Sequence, residues 1–258
     1  MTRAFRSEWL KLRRPGMLLG GLGGMLAFSV LAVILTMARA SAGPANESVS
    51  IARLSQPDGF ASILERGSDF LGIFALGIVA VATAQEYSHG TLRSLLVREP
   101  RRIRLLAGKT LANLVYVCGS VVVASVVALL LALVIAPGKG ITTSGWLGSG
   151  LGSTASTIGN MALASAGFGV FGALLALVVR APAPAVIGGV AWIIPAENLL
   201  TRAWPNVGHW LPGQQLSAVV AGGNTVSGYT WALALGLSFV AVAAAASGAL
   251  FRVRDVSV

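Results

Sequence analysis

The sequence predicts an all-α polytopic membrane protein with six transmembrane helices. The first observation behind this is composition. Of 258 residues, 55% are hydrophobic and 11% charged, where a soluble protein carries about 25% charged residues. The second is that mean hydropathy is +0.78 and the apolar residues are gathered into runs, several of them near the roughly 20 residues a 30 Å hydrocarbon core requires. The third is that the net charge of +10 is distributed unevenly among the segments between those runs. The chain reads as a single transmembrane domain over 1–258, with no cleavable signal peptide, no internal repeat and no soluble domain at either end.

Thr2 to Arg14 reads TRAFRSEWLKLRR. Phe5, Trp9 and Leu12 fall on one helical face, and Arg3, Arg6, Lys11, Arg13 and Arg14 crowd the rest. This pattern predicts an interfacial helix over 1–16, its apolar side in the acyl boundary and its cations towards lipid phosphates. Pro15 and Gly16 end it. Span 1 follows at about Met17 to Ala38, and its GGLGG stretch permits close helix contact. A polar loop runs from Arg39 to about Gly59. Span 2 has a clean apolar run only over Phe70 to Ala84, so its helix is expected to start near Phe60, with Glu65, Arg66 and Asp69 in the interface.

Glu86 to Lys109 is a basic island, EYSHGTLRSLLVREPRRIRLLAGK. Gly90 and Pro100 cut it. Between them Thr91 to Arg98 reads as a short amphipathic helix, with Leu92, Leu95 and Leu96 on one face. From the residues alone it is either a docking element for a cytoplasmic partner or a solvated loop. Span 3 begins after Lys109 and runs to about Ala136, ended by Pro137–Gly138. Span 4 covers about Thr157 to Val179 and contains Gly167, Gly169 and Gly172.

The fifth apolar run, Ala185 to about Leu200, is short and contains Pro195. A 16-residue helix is about 24 Å long, too short for a full crossing. The region 185–228 therefore reads as a broken span 5 with an outer re-entrant segment: a helix that turns and dips back, with Glu197 and Asn198 facing a wet vestibule and Trp204 and Trp210 anchoring the turn. The alternative is an ordinary span and a long polar loop. Span 6 runs from about Tyr229 to Phe251.

Six spans put both termini on one side. That side carries 14 Lys and Arg residues (five before span 1, six in Glu86 to Lys109, Arg180, and Arg252 and Arg254 at the C-terminus) against five opposite, at Arg39, Arg53, Arg66, Lys139 and Arg202. The split predicts cytoplasmic termini and accounts for the net charge without nucleic acid. Trp146, Trp204, Trp210 and Trp231 are expected in the outer aromatic belt.

Enzymatic chemistry is not expected, and neither is a cofactor within the chain. Cys118 is the single cysteine, and His89 and His209 are far apart, so neither a disulfide nor a zinc site is expected. Gly108-Lys109-Thr110 resembles the end of a phosphate-binding loop, but that motif needs a glycine where this chain has Ile103. No G-x-S-x-G elbow and no pair of mid-membrane acids occurs.

Three features coincide: SEWLKLRRP (Ser7 to Pro15) before span 1, QEYSHGTLRSLLVREPRRIRLLAGK (Gln85 to Lys109) after span 2, and the broken segment between spans 5 and 6. Together they resemble the membrane subunits of ABC transporters of the type-2 exporter class. The specific part is E-x-x-x-G-T-L-R…P-x-R…L-x-A-G-K, about 25 residues. The resemblance implies a plasma-membrane permease whose loop after span 2 forms a coupling helix on a separate ATPase subunit. Mapped here, it assigns coupling to Glu86, Gly90, Thr91, Leu92, Arg93 and Leu95, with Pro100, Arg102 and Lys109 flanking. It places an outer gate at Pro195, Glu197, Asn198, Trp204 and Trp210. It implies two ATPase copies carrying ATP and Mg, and a second permease copy or homologue. The rival class is a membrane scaffold or sensor that does not transport.

Overall fold

Backbone that lies in hydrocarbon must satisfy its own hydrogen bonds, and apolar runs of this length do so as helices. The computed structural model describes residues 2–41, 49–88, 101–224 and 227–253. Helix α1 (Thr2–Leu12) leads into α2 (Pro15–Arg39), where Pro15 occupies the first helical position and its missing N–H costs nothing. Then come α3 (Gly59–Ser88), α4 (Arg102–Ile135), α5 (Leu151–Val179), α6 (Pro182–Ala203), α7 (Pro212–Val220) and α8 (Tyr229–Val253). Among the described residues there is no strand, only isolated bridges at Ser41–Ser50 and Gly223–Gly228. Six helices, α2 to α6 and α8, are long and apolar enough to cross a membrane, as the sequence predicts.

The centre of the bundle is α3 against α5. In their apolar windows 56% of residues are buried, against 22% in α2 and 17% in α6 and α8, which makes the latter three peripheral. Small residues allow the central approach. A Cβ on Gly172 would collide with the backbone carbonyl of Leu76, and one on Gly72 would lie 2.5 Å from the Phe168 ring. The GGLGG stretch of α2 behaves differently from a uniform packing face. Leu18–Leu22 is a π-helical turn, and the Tyr116 hydroxyl on α4 reaches into it, accepting from Leu22 N at 3.2 Å and donating to the Met17 carbonyl at 2.9 Å.

The structure corrects three expectations. The apolar face of α1 turns into the protein instead of lipid: Leu12 is buried in the main core, and Phe5 and Trp9 pack against that core with their rings stacked at 6.1 Å. The helix is held by protein contacts along α4, with Leu12 buried and Phe5 and Trp9 half-buried. Trp146 does not join an aromatic belt. It is buried, donates its indole N–H to the Leu54 carbonyl at 2.9 Å, and packs on Phe60. Finally, α6 is 22 residues long, about 33 Å, so the argument that the fifth run is too short to cross fails. Pro195 is absorbed in a π-helical turn, Trp192–Ala196, and the helix continues to Ala203.

The chain then reverses. A 3₁₀ segment, Pro205–Trp210, leads to α7, which packs on α5 and α8. At the same end, Arg53 clamps Asp58 through two contacts of 2.5 and 2.8 Å, and this hydrogen-bonded guanidinium holds the Asp58 carboxyl below its ordinary value.

The tight α3–α5 approach yields a prediction. Gly172→Leu should overpack the pair and lower stability by about 1–3 kcal/mol, read as a lower thermal midpoint in detergent. Gly152→Leu, whose Cβ would meet nothing within 4 Å, should leave the midpoint unchanged.

Candidate coupling site and outer turn

Helix α4 has 34 residues, about 51 Å at 1.5 Å per residue, which exceeds a hydrocarbon core of about 30 Å. Its first two turns, Arg102 to Lys109, are the basic part and extend beyond the apolar run. They meet the end of α3 and the underside of α1. Two carboxylates and two ammonium groups converge there. Lys109 is ion-paired with Glu86, and with Glu8 at 3.2 Å. Lys11 lies 2.6 Å from Glu86 and 3.3 Å from Glu8. Glu8 is 2% exposed, Glu86 6% and Lys109 7%, so three of the four charges are out of water, and the set is neutral overall.

The local sequence explains the arrangement. Glu8 lies three residues after Phe5 and four before Leu12, so it shares their face and is carried inward with them. Lys11, one turn later, reaches the same point from the rim. Burial acts against the Lys11 ammonium, but its bond to Glu86 and the charge of Glu8 outweigh this, and its pKa lies above the ordinary 10.5.

Neighbouring contacts tie further helix ends to this point. Ala4, Leu105, Leu177 and Phe251 form an apolar cluster. Arg102 donates to the Arg252 carbonyl at 3.1 Å. Arg180 closes α5 in the left-handed region, φ 60°, and its guanidinium stands 5.8 Å from the Tyr87 ring centroid.

Of the residues the resemblance assigns to coupling, Glu86, Arg102 and Lys109 fall in the described structure. Gly90, Thr91, Leu92, Arg93, Leu95 and Pro100 lie outside the described residues, as does the short helix expected over Thr91 to Arg98. Glu86, in the last turn of α3, and Lys109, in the second turn of α4, face each other inside the chain. Sequence reasoning missed Glu8 and Lys11 as their partners. The available signal was that Glu8 is the single acid among five cations before Pro15, and that it sits on the apolar face. Lys109 is mid-helix and bonded to carboxylates, which agrees with rejecting a phosphate-binding loop.

At the other end of the bundle, Glu197 does not face a vestibule. It is fully buried, and its carboxylate accepts from Gly213 N at 3.0 Å and Gln214 N at 2.9 Å. It thereby caps the N-terminus of α7, where Pro212 cannot donate and the helix dipole favours an anion. Glycine at 213 lets the carboxylate come this close: a Cβ there would lie 2.5 Å from Glu197 Oε2 and displace it. Asn198 is exposed and donates to the Ile194 carbonyl at 2.7 Å, beside Pro195. Trp204 and Trp210 are both about 60% exposed, at 62% and 61%, and Trp210 meets Trp231 edge to face at 5.9 Å.

Six crossing helices and no nucleotide-binding motif define a multi-pass membrane subunit. The chain belongs to the ABC-2 family of transporter proteins: the profile of that family, ABC-2 family transporter protein, matches residues 4–187, more than two thirds of the chain. It is thus a permease-type membrane domain of the ABC-2 class, a class whose membrane subunit carries no nucleotide-binding domain and implies a partner ATPase. A search of curated proteins found no match. The matched region contains the whole charge network and ends before Glu197.

Two outcomes are expected. Lys109→Met leaves the two buried carboxylates of Glu8 and Glu86 with Lys11 as their one remaining cation, an uncompensated negative charge, and should cost about 3–5 kcal/mol; adding Glu86→Gln should recover part of the loss, read as thermal midpoints in detergent. The raised Lys11 pKa means that its contribution is complete below the ordinary lysine value and is lost as pH rises through the higher folded value. Stability should therefore differ little between wild type and Lys11→Met only on the alkaline side of 10.5.

Proposed function

We propose that this chain is the permease subunit of an ATP-driven exporter and couples to a separate ATPase subunit through the loop 86–109. The observation that carries the reading is the buried charge network. It joins the two helices that flank the loop, α3 through Glu86 and α4 through Lys109, to each other and to α1. A push delivered to Leu92, Arg93 and Leu95 by a partner would therefore be received by α1, α3 and α4 as one unit. A loop attached only by its peptide bonds would yield instead.

In this reading both termini face the cytoplasm of a plasma-membrane protein, as the 14 to five charge split favours. Two permeases form the pathway, and two ATPase subunits bind ATP and Mg and drive alternating access. The reversal from α6 through Trp204 to α7 forms the outer re-entrant segment. Glu197 acts there as the cap that holds the hairpin, while exposed Trp204 and Trp210 anchor it at the headgroups.

The test is made in the reconstituted complex. Leu92→Asp and Leu95→Asp each place a charge in an apolar contact, at a cost of several kcal/mol, roughly 2–7, for a fully buried site. Permease insertion should persist, and ATPase stimulation by the permease should be lost. Wild-type stimulation in both variants, or failure of any nucleotide-binding subunit to co-purify with the native chain, would instead favour a scaffold that does not transport.

A further inference from the structure

The seam between α2 and α3 holds two cavities that the coupling reading does not use. The one nearer α1 has a volume of about 680 Å³ and is lined by Gly16, Gly20, Phe74, Gly77 and Val186, with Arg14 at its mouth. This lies within the range of about 300–1,000 Å³ typical of ligand sites. Three glycines face this space: a Cβ at Gly16 or Gly20 would meet nothing within 4 Å, and one at Gly77 would only touch Val186 at 3.9 Å. The second cavity, about 250 Å³, lies further along the same two helices under Thr36, Arg39 and Arg66.

Three aromatic rings separate the cavities. Phe28 on α2 lies 5.0 Å from Phe70 and 5.0 Å from Phe74 on α3. Phe74 lines the larger cavity, and Phe28 and Phe70 line the smaller. Gly24 allows this arrangement, because a Cβ there would collide with the Phe74 ring. Each end of the seam therefore carries arginine, each cavity is walled mainly by apolar groups, and the middle is closed by phenylalanine.

That pattern selects a ligand. A polar solute would lose its hydration against walls that offer few hydrogen bonds in return. A neutral hydrocarbon would make no use of Arg14, which has no carboxylate partner among the described residues. A guanidinium binds a phosphate through two parallel donors, while the stem lies along apolar surface. We propose that the α2–α3 seam is a binding track for an anionic, phosphate-headed lipid from the leaflet next to α1. Its head rests on Arg14 and its acyl chain fills the larger cavity. Phe28, Phe70 and Phe74 form the barrier to a second headgroup seat at Arg39 and Arg66. The direction of movement along the track rests on the export reading above; binding does not.

The test uses the full-length chain purified in a non-ionic detergent, without ATPase or nucleotide, so its result is independent of the coupling experiment. Retained dioleoylphosphatidylglycerol and dioleoylphosphatidylcholine are counted by native mass spectrometry. Wild type should prefer the anionic lipid. Arg14→Gln should lower retention of that lipid about tenfold, the equivalent of one charge-assisted hydrogen bond, and leave the zwitterionic lipid unchanged. Arg13→Gln, the same charge change at an exposed neighbour outside the cavity, should retain the preference. Gly20→Phe and Gly16→Leu, which project into open space, should reduce retention of both lipids while the thermal midpoint holds. Equal losses in Arg14→Gln and Arg13→Gln would reduce the effect to surface charge and overturn the proposal. Unchanged retention in both glycine variants would overturn it as well.

Discussion

The four-charge contact of Glu8, Lys11, Glu86 and Lys109 is the constraint on which the architecture of the basic end depends. Burying charge is expensive, and a buried ion set is not in itself a source of stability. What it supplies is position. Each carboxylate contacts both ammonium groups, so moving any of the three helices costs two contacts, and moving α3 or α4 also leaves an uncompensated charge. That converts an otherwise greasy, sliding junction of α1, α3 and α4 into one with a single preferred register. Around it the helix ends gather: the apolar cluster of Ala4, Leu105, Leu177 and Phe251, the Arg102 bond to the end of α8, and Arg180 over Tyr87.

The opposite end solves a similar problem with one charge. Among the described residues no cation forms an ion pair with Glu197. Its compensation is two backbone N–H groups and the positive end of α7. A side chain from α6 thus sets the start of α7 sixteen residues later, and glycine at 213 is what admits it. The two ends have different designs for a physical reason. At the basic end separate helices must be fastened to one another, which a multi-charge contact does. At the outer end one chain reversal must be held, and a cap suffices.

Between the two ends, packing is governed by small residues, and they play two opposed parts. On α5 they remove volume so that α3 can approach, as at Gly172 against Leu76. On α2 they leave volume unfilled, as at Gly16 and Gly20. Identical residues thus produce a solid centre and a hollow seam. The distinction is whether a neighbouring helix occupies the vacated space. The π-helical turn at Leu18–Leu22, held by Tyr116, turns part of the GGLGG stretch away from simple helix contact.

Much of the fold was legible in the chain. Hydropathy and run length identified six crossings, because solvation of backbone in lipid leaves helices as the solution. The end of α3 near Glu86 and the rejection of a phosphate-binding loop at Lys109 followed from local signals as well. The start of α4 did not: Arg102 to Lys109 reads as part of a basic loop but forms the first two turns of the helix. Length alone misjudged α6, since a π-helical turn let the helix run through Pro195. Amphipathicity identified the apolar face of α1 but not what covers it: lipid and protein are equally good solvents for Phe5, Trp9 and Leu12, and only the packing of α4 decided between them. The same holds for Trp146, a belt residue by composition and a buried donor to Leu54 by contact. The sequence by itself determined the class, the crossings and the charge asymmetry, because these depend on each segment's transfer from water. The tertiary structure alone decided which charges pair, which carboxylate caps which helix and where cavities remain, because these depend on residues such as Glu8 and Lys109, about a hundred positions apart, meeting in space.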